Sequence, residues 1–455
     1  MRILLESGTS DVRNLGDAAM LGEAYQSLRS EWPNAEIFVT TRRPDLLPRF
    51  CPGAIPVEID GRRSLSLAWT PWRRIEIRIP IVAGLTRRFR TMYRNPLNRL
   101  WLVFVCCHLR QSPKDVYKFL DLLRTVDLLV YAGGGYFNDE FRHFFFELVT
   151  VAEVVRHQRK PVVAFGQGIG PLSTPLVARP VEAFVRNLTA IGTRENITLR
   201  WAQSHLNSET LCVSTGDDAL LDPDLPSPSE LGSDLGVNVR LAFYSGIELA
   251  ELGPLREAVA RFFQAQGLTV IRSIPIKDTD DHSTQQVLAG LPIESCRAEK
   301  AAILSAIAKC RVVFTGSYHA AVFAYALGVT VVGLVGNRYY QQKFVGVAER
   351  FGTTPLVYTL ANGSNEKNDL NILFNLLNRA WEAAPKNRAP LIRARDEQIM
   401  TNRSFKRKVF DQIRVMVPEA GHFRPCQRPE GEAFPTQYAT TSRCEKSKNR
   451  LGSNG

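Results

Sequence analysis

Short apolar runs that end in glycine-rich or polar loops and give way to helix-periodic segments recur along this chain, and that alternation limits the fold more than any other feature. In the first half, strands are predicted over 2–5, 36–40, 127–132, 161–165, 190–193 and 209–213, with helices over 18–32 and 141–157. Met20, Leu21, Ala24 and Leu28 repeat at helical spacing in the first of those helices. A linker rich in Pro, Ser and Asp covers 222–233. Beyond it the style repeats, with strands over 237–243, 269–273, 312–315 and 330–334 and helices over 252–266, 300–309 and 318–327. Weaker elements run on to about residue 417. Strands alternating with helices of ten or more residues form parallel sheets covered on both faces. Two such units leave a cleft between the carboxyl ends of their strands, where ligands bind. The expected organisation is an α/β chain with an N-terminal domain over 1–222 and a C-terminal domain over 234–417. Periodicity stops at Pro418, so 418–455 is expected to be a disordered tail.

Charge narrows the choice of partner. The chain carries a net charge of +12, and the stretch 62–114 alone holds 12 Lys or Arg against one acid, Glu76. Such an excess favours an anionic partner: nucleic acid, anionic lipid or a phosphorylated substrate. The same stretch contains Trp69, Trp72 and Trp101 and the apolar run 100–107, which is too short to span a bilayer. It suits a membrane surface or, equally, a helical insertion with solvated arginines. Nucleic acid is not expected, because no recognised module accompanies the charge. The N-terminal apolar run covers only 3–5 and the eight cysteines lack metal spacing, so a cytoplasmic protein is expected, peripheral on the inner membrane face if 62–114 docks there.

Several motifs carry chemistry. Asn14, Gly16 and Asp17 lie between a strand and a helix, where free amides suit an anion or a sugar oxygen, although Asp17 could simply cap the helix. Gly133, Gly134 and Gly135 follow a buried strand, with Asp139 just beyond. Three glycines in a row cost chain entropy and point to a close backbone approach. They fit neither the P-loop nor the dinucleotide spacing. A second glycine loop, 166–171, carries Gln167, a possible partner for a sugar hydroxyl. Arg194 closes a strand and could grip a carboxylate or phosphate through paired hydrogen bonds. The run 312–319 delivers Gly316, Ser317 and His319 to a helix start. There an imidazole is held neutral until an anion binds, which suits a general acid, though a buried structural histidine would read the same. Lys343 is a further candidate cation. Asp278 and Asp280 have the spacing of a metal-binding acid pair but read better as a polar turn, and no metal is expected.

Taken in order, Asn-x-Gly-Asp at 14–17, the triple glycine, Gly-Gln-Gly-Ile-Gly-Pro at 166–171, Thr-Arg-Glu at 193–195, Gly-Asp-Asp-Ala-Leu at 216–220, Gly-Val-Asn-Val-Arg at 236–240 and Ser-x-His at 317–319 resemble the polysaccharide pyruvyl transferase family. The resemblance covers about residues 1–350. It implies two Rossmann-like domains facing a cleft, similar to the glycosyltransferase B architecture, with phosphoenolpyruvate as donor substrate and no cofactor. It further implies that Arg194 and His319 line the donor site, that the glycine loops shape the cleft, and that a glycan, lipid-linked or free, is the acceptor. His319 would be the acid or would activate the phosphate, and Asp17 or Asp139 would orient or deprotonate the acceptor. One departure matters: the family usually has Arg-x-His where this chain has Ser317-Tyr318-His319. Either another cation, such as Arg338 or Lys343, substitutes for the missing arginine, or the donor differs, or catalysis has been lost. A glycosyltransferase using a nucleotide sugar and an inactive glycan-binding protein are the rival readings.

Overall fold

In the computed structural model, residues 1–418 are described apart from 9–10, 92–94, 227–229, 243–244, 248 and 361–365. The tail expected over 418–455 therefore lies, from residue 419, outside the described residues.

The first half runs β1 (Arg2–Glu6), α1 (Leu15–Glu31), β2 (Glu36–Thr41), β3 (Ile55–Glu58), α2 (Asp60–Arg78), α3 (Ala83–Thr91), α4 (Pro96–His108), α5 (Pro113–Thr125), β4 (Leu128–Tyr131), β5 (Gly134–Phe137), α6 (Arg142–His157), β6 (Val162–Ile169), α7 (Pro175–Arg186), β7 (Ala190–Thr193), α8 (Asn196–Gln203) and β8 (Leu211–Ser214). The second runs β9 (Asp234–Asn238), α9 (Gly253–Ala265), β10 (Ile271–Ser273), α10 (Asp278–Val287), β11 (Ile293–Glu294), α11 (Lys300–Ala308), β12 (Cys310–Thr315), α12 (Tyr318–Ala326), β13 (Thr330–Val335), α13 (Arg338–Arg350), β14 (Val357–Thr359) and α14 (Glu366–Met416).

Every strand pairing is parallel among the described residues. The first sheet is ordered β3-β2-β1-β4-β6-β7-β8, with β5 beside β6, and the second β11-β10-β9-β12-β13-β14. Counted from its own first strand, the second sheet has the 3-2-1-4-5-6 order of the doubly wound fold. The order reverses between β1 and β4 in one sheet and between β9 and β12 in the other. Loops leaving those strands diverge there and open a crevice. Fully buried strands such as β6 and β13 are nearly all apolar or small, as sheets covered on both faces require.

Three expectations are corrected. Residues 166–169, read as a loop, continue strand β6, and Gly134 and Gly135 belong to β5. The strand expected over 237–243 lies earlier, at β9. The unit expected over 234–417 does not pack as one body. Leu373, Leu377, Ala380 and Ala384 of α14 join the core of the second sheet, whereas Phe405, Val409, Phe410 and Ile413 join that of the first. The last helix thus straps the domains together.

The basic stretch forms a helical insertion, but its key arginines are not solvated. Arg62, Arg73 and Arg90 are buried. Arg62 pairs with Glu6 of β1 and, at 3.1 Å, with Glu147 of α6. Arg73 and Arg90 share Glu153 at 3.0 and 3.1 Å, and Arg90 also holds Glu76 at 2.8 Å. Removing one member would leave an uncompensated buried charge. The outer face differs: Ile81, Leu85, Leu97, Leu100 and Phe104 are strongly exposed. No helix among the described residues is long and apolar enough to cross a membrane.

Candidate active site

A cavity of about 340 Å³ opens where the two switch points face each other. Its walls include Asn14 and Asp17 from the start of α1, Gly135 from β5, Arg194 after β7, Arg240 after β9, Lys277 before α10, Ser317, Tyr318 and His319 at the start of α12, and Tyr339, Tyr340 and Lys343 of α13. Arg42 after β2 completes the cationic set. Backbone and side-chain bonds hold the walls together across the domains. Leu15 N donates to the Ile276 carbonyl at 3.2 Å, Tyr339 Oη to Gly135 O at 2.7 Å, and Gln342 Nε2 to Ile169 O at 3.2 Å.

Glycine makes the close packing possible. A Cβ at Gly16 would stand 1.9 Å from the His319 ring. One at Gly135 would meet Arg194 Nη2 at 2.1 Å, and one at Gly168 would meet Arg194 Nε at 2.5 Å. The glycine motifs are therefore spaces for Arg194 and His319, contributed by elements distant in sequence. Gly133 and Gly166 do the same for Asp218, whose carboxylate would lie 2.9 and 2.7 Å from added Cβ atoms.

Arg194 is almost fully buried and lies flat over the Tyr318 ring, 4.2 Å from its centroid. Its Nε donates to Glu195 at 3.1 Å, and Nη1 is 3.9 Å from Asp217. Burial works against its charge, but Tyr318, Glu195 and Asp217 hold its pKa above the ordinary arginine value. His319 is also buried, with Nε2 making no hydrogen bond and standing 4.0 Å from Asp217. Burial first, then Arg194, Lys343 and Arg240, push its pKa well below 6.5, so the empty site holds a neutral imidazole. Lys343 is depressed for the same reasons, burial before Arg194, with Asp17 and Glu195 opposing. It sits 4.1 Å from the Tyr339 ring centroid. Ser317 Oγ and Asp217 Oδ2 are buried without a hydrogen-bond partner. Such groups cost free energy unless a ligand completes them.

Asp217 was not among the expected site residues. Burial raises its pKa from 3.8 to about 6. The folded state therefore binds the proton more tightly than the unfolded one between those values, and this group's contribution to stability declines as pH rises through them. In activity the sign is opposite, because only the carboxylate can steady an imidazolium. We expect kcat/KM to fall below about pH 6. Asp217→Asn should remove that acid limb in a pH–rate profile, and retention of the limb in the variant would assign it elsewhere.

Arg240 is another residue missed, as are Arg42, Lys277, Tyr339 and Tyr340 of the wall. Buried, it lies 3.8 Å from Asp280, whose carboxylate accepts from the backbone of Ile276 and Lys277 and from Asn238 Nδ2, each at 3.1 Å. Asp280, read with Asp278 as a polar turn, instead stands beside a cation of the cavity wall. Membership of Arg240 and Asp217 in the quoted motifs was the available signal.

Other expected site residues lie elsewhere. Gln167 is fully buried and donates to the carbonyls of Ala132 and Phe165, both at 2.8 Å, so its amide ties the central strands β4 and β6 together away from the cavity wall. Asp139 accepts from Ser173 N at 3.0 Å and Oγ at 2.7 Å, outside the cavity. Arg338 is exposed at the start of α13 and absent from the cavity wall, so the nearby cations are Arg240 and Lys343. Gly133 and Gly134 lie behind the wall, against Asp218 and the Tyr136 ring, and Gly316 packs on the Arg240 backbone. Asn14, not Asp17, caps α1, accepting from Gly16 N at 3.1 Å.

Two Rossmann-like domains meeting across a cation-lined cleft form a fold of the glycosyltransferase B type. The fold is similar to that of a putative UDP-N-acetylglucosamine 2-epimerase from Listeria monocytogenes, at 12% identity and a TM-score of 0.51 over 92% of this chain and 97% of that one. Looser likenesses include the UDP-GlcNAc 2-epimerase of Neisseria meningitidis, at 11% identity and 0.48 over 88% and 99% of the two chains. The calicheamicin glycosyltransferase CalG4 gives 14% and 0.47 over 92% and 99%. No curated protein sequence matches the chain. The profile of the polysaccharide pyruvyl transferase family matches residues 14–338, and the chain belongs to that family of transferases.

Proposed function

We propose that the protein transfers the three-carbon acid of phosphoenolpyruvate to two hydroxyls of a glycan, forming a cyclic ketal. The observation that carries this reading is a buried His319 ringed by Arg194, Arg240 and Lys343 with Asp217 behind it, a setting that holds its pKa well below 6.5. The donor's phosphate and carboxylate would offset those cations and raise the imidazole pKa, so that His319 takes up a proton with the donor. Protonation of the donor's methylene carbon turns it into a methyl group and leaves an oxocarbenium centre on the adjacent carbon. One sugar hydroxyl adds there and loses its proton. The carbon–oxygen bond to phosphate then breaks, inorganic phosphate departs, and the second hydroxyl closes the ketal with loss of its own proton. Asp17, on the cavity wall, is placed to accept a hydroxyl proton.

Arg240, which ends the motif at 236–240 that the chain shares with the family, would hold the donor beside Ser317, where the family carries a further arginine. Truncation to Ala should raise KM for phosphoenolpyruvate about 10- to 100-fold, the value of one charge-assisted hydrogen bond, with a smaller effect on kcat. Acceptor-dependent phosphate release from phosphoenolpyruvate, measured with a panel of oligosaccharides, tests the reading. Release of a nucleoside diphosphate from a nucleotide sugar, with none from phosphoenolpyruvate, would replace it with glycosyl transfer.

A further inference from the structure

A second cavity, of about 690 Å³, lies between α2 of the insertion and α6. Its wall carries Arg42, Arg63, Arg73 and Arg74, interleaved with Leu67, Phe144, Phe146 and Leu176. Arg73 is spent on Glu153 and Thr150, at 3.0 and 2.7 Å. Glu147, the acid on the wall, is held by Arg62 at 3.1 Å. No acid stands within ion-pairing distance of Arg42, Arg63 or Arg74 among the described residues, and all three are exposed. A concave site with three exposed guanidinium groups, of which Arg42 alone feels the charge of Glu147, and an apolar floor fits a compact dianion attached to an organic group.

Arg42 and Phe144 line this cavity and the candidate active site alike, so the two are halves of one cleft. On the other side, α2 carries the cavity wall from Leu67 and Arg74 on to the exposed Ile75, and Ile79 and Ile81 follow just beyond the helix, also exposed.

We propose that the α2–α6 cavity binds the phosphate or diphosphate ester of an anionic glycan acceptor through Arg42, Arg63 and Arg74, while its sugar reaches past Phe144 to His319. The apolar margin would receive the lipid of a lipid-linked acceptor. Only the word acceptor rests on pyruvyl transfer: binding is read without turnover, so failure of phosphate release from phosphoenolpyruvate would leave the site itself untouched.

Calorimetric titration of the full chain with inorganic pyrophosphate, farnesyl diphosphate and farnesol tests the site. Both diphosphates should bind, farnesol should not, and the Arg63→Gln/Arg74→Gln variant should lose at least about tenfold in affinity, two charge-assisted contacts being removed. These side chains are exposed, and an unchanged melting temperature would confirm that the fold survives. Tighter binding of farnesyl diphosphate than of pyrophosphate identifies a lipid-linked ester, and equal binding a soluble sugar phosphate. Two results would overturn the proposal: no diphosphate binding at millimolar concentration, or binding that the double variant leaves intact, which places the anion at Arg194 instead.

Discussion

Replacing His319 with Ala should lower kcat for pyruvyl transfer about 10²–10⁴-fold, the usual contribution of a positioned proton donor. Donor affinity should change far less. Arg194, Arg240 and Lys343 remain, and loss of the imidazole removes no charge from the empty site, where burial and those cations keep it neutral. A nearly unchanged Kd beside a collapsed kcat separates a proton donor from a binding group. The opposite pattern, donor affinity lost in step with turnover, would make His319 an anion ligand. The variant leaves a void at the first turn of α12, so its unfolding midpoint should be measured alongside.

Gly16→Ala should cripple the enzyme through a residue that touches no substrate. In the interior of an ordinary exposed helix this change is stabilising by about 1 kcal/mol, because glycine is the poorer helix former. Here the added methyl would occupy the space of the His319 ring, 1.9 Å from its nearest atom. The ring is buried on the far side by the α12 core and must move, and a shift of about 1 Å in a catalytic group costs on the order of 10²-fold. We expect kcat to fall by at least that factor, with helical circular dichroism and the denaturation slope unchanged. Full activity would mean that His319 can relocate freely and is not the acid.

The alternation of strands and helices, the cleft and the grouping of Asn14, Asp17, Arg194, Ser317, His319 and Lys343 could be read before any coordinates. What escaped the sequence has physical causes. The end of strand β6 looked like a loop because Gly166, Gln167 and Gly168 interrupt its apolar pattern, yet the two glycines are what admit Asp218 and Arg194. The charge of the insertion looked solvent-facing because its partners Glu6, Glu147 and Glu153 lie outside the basic stretch in sequence. Helix α14 looked like scattered weak elements because Pro385 and Pro390 break its propensity, and its apolar stripe serves two different sheets. Asp217 looked like one acid of a motif. Its role comes from the company it keeps, 3.9 Å from Arg194 and 4.0 Å from His319, and no spacing in the chain encodes that.

In the proposed reaction the donor's methylene is protonated and its whole three-carbon unit moves to the glycan. Turnover of phosphoenolpyruvate with an accepting oligosaccharide in heavy water, followed by nuclear magnetic resonance of the purified product, tests this directly. The account predicts a ketal methyl group carrying one deuterium, formed together with an equivalent of inorganic phosphate. A product that keeps its methylene as an enol ether, or a glycan extended by a sugar with no pyruvyl group attached, would contradict it.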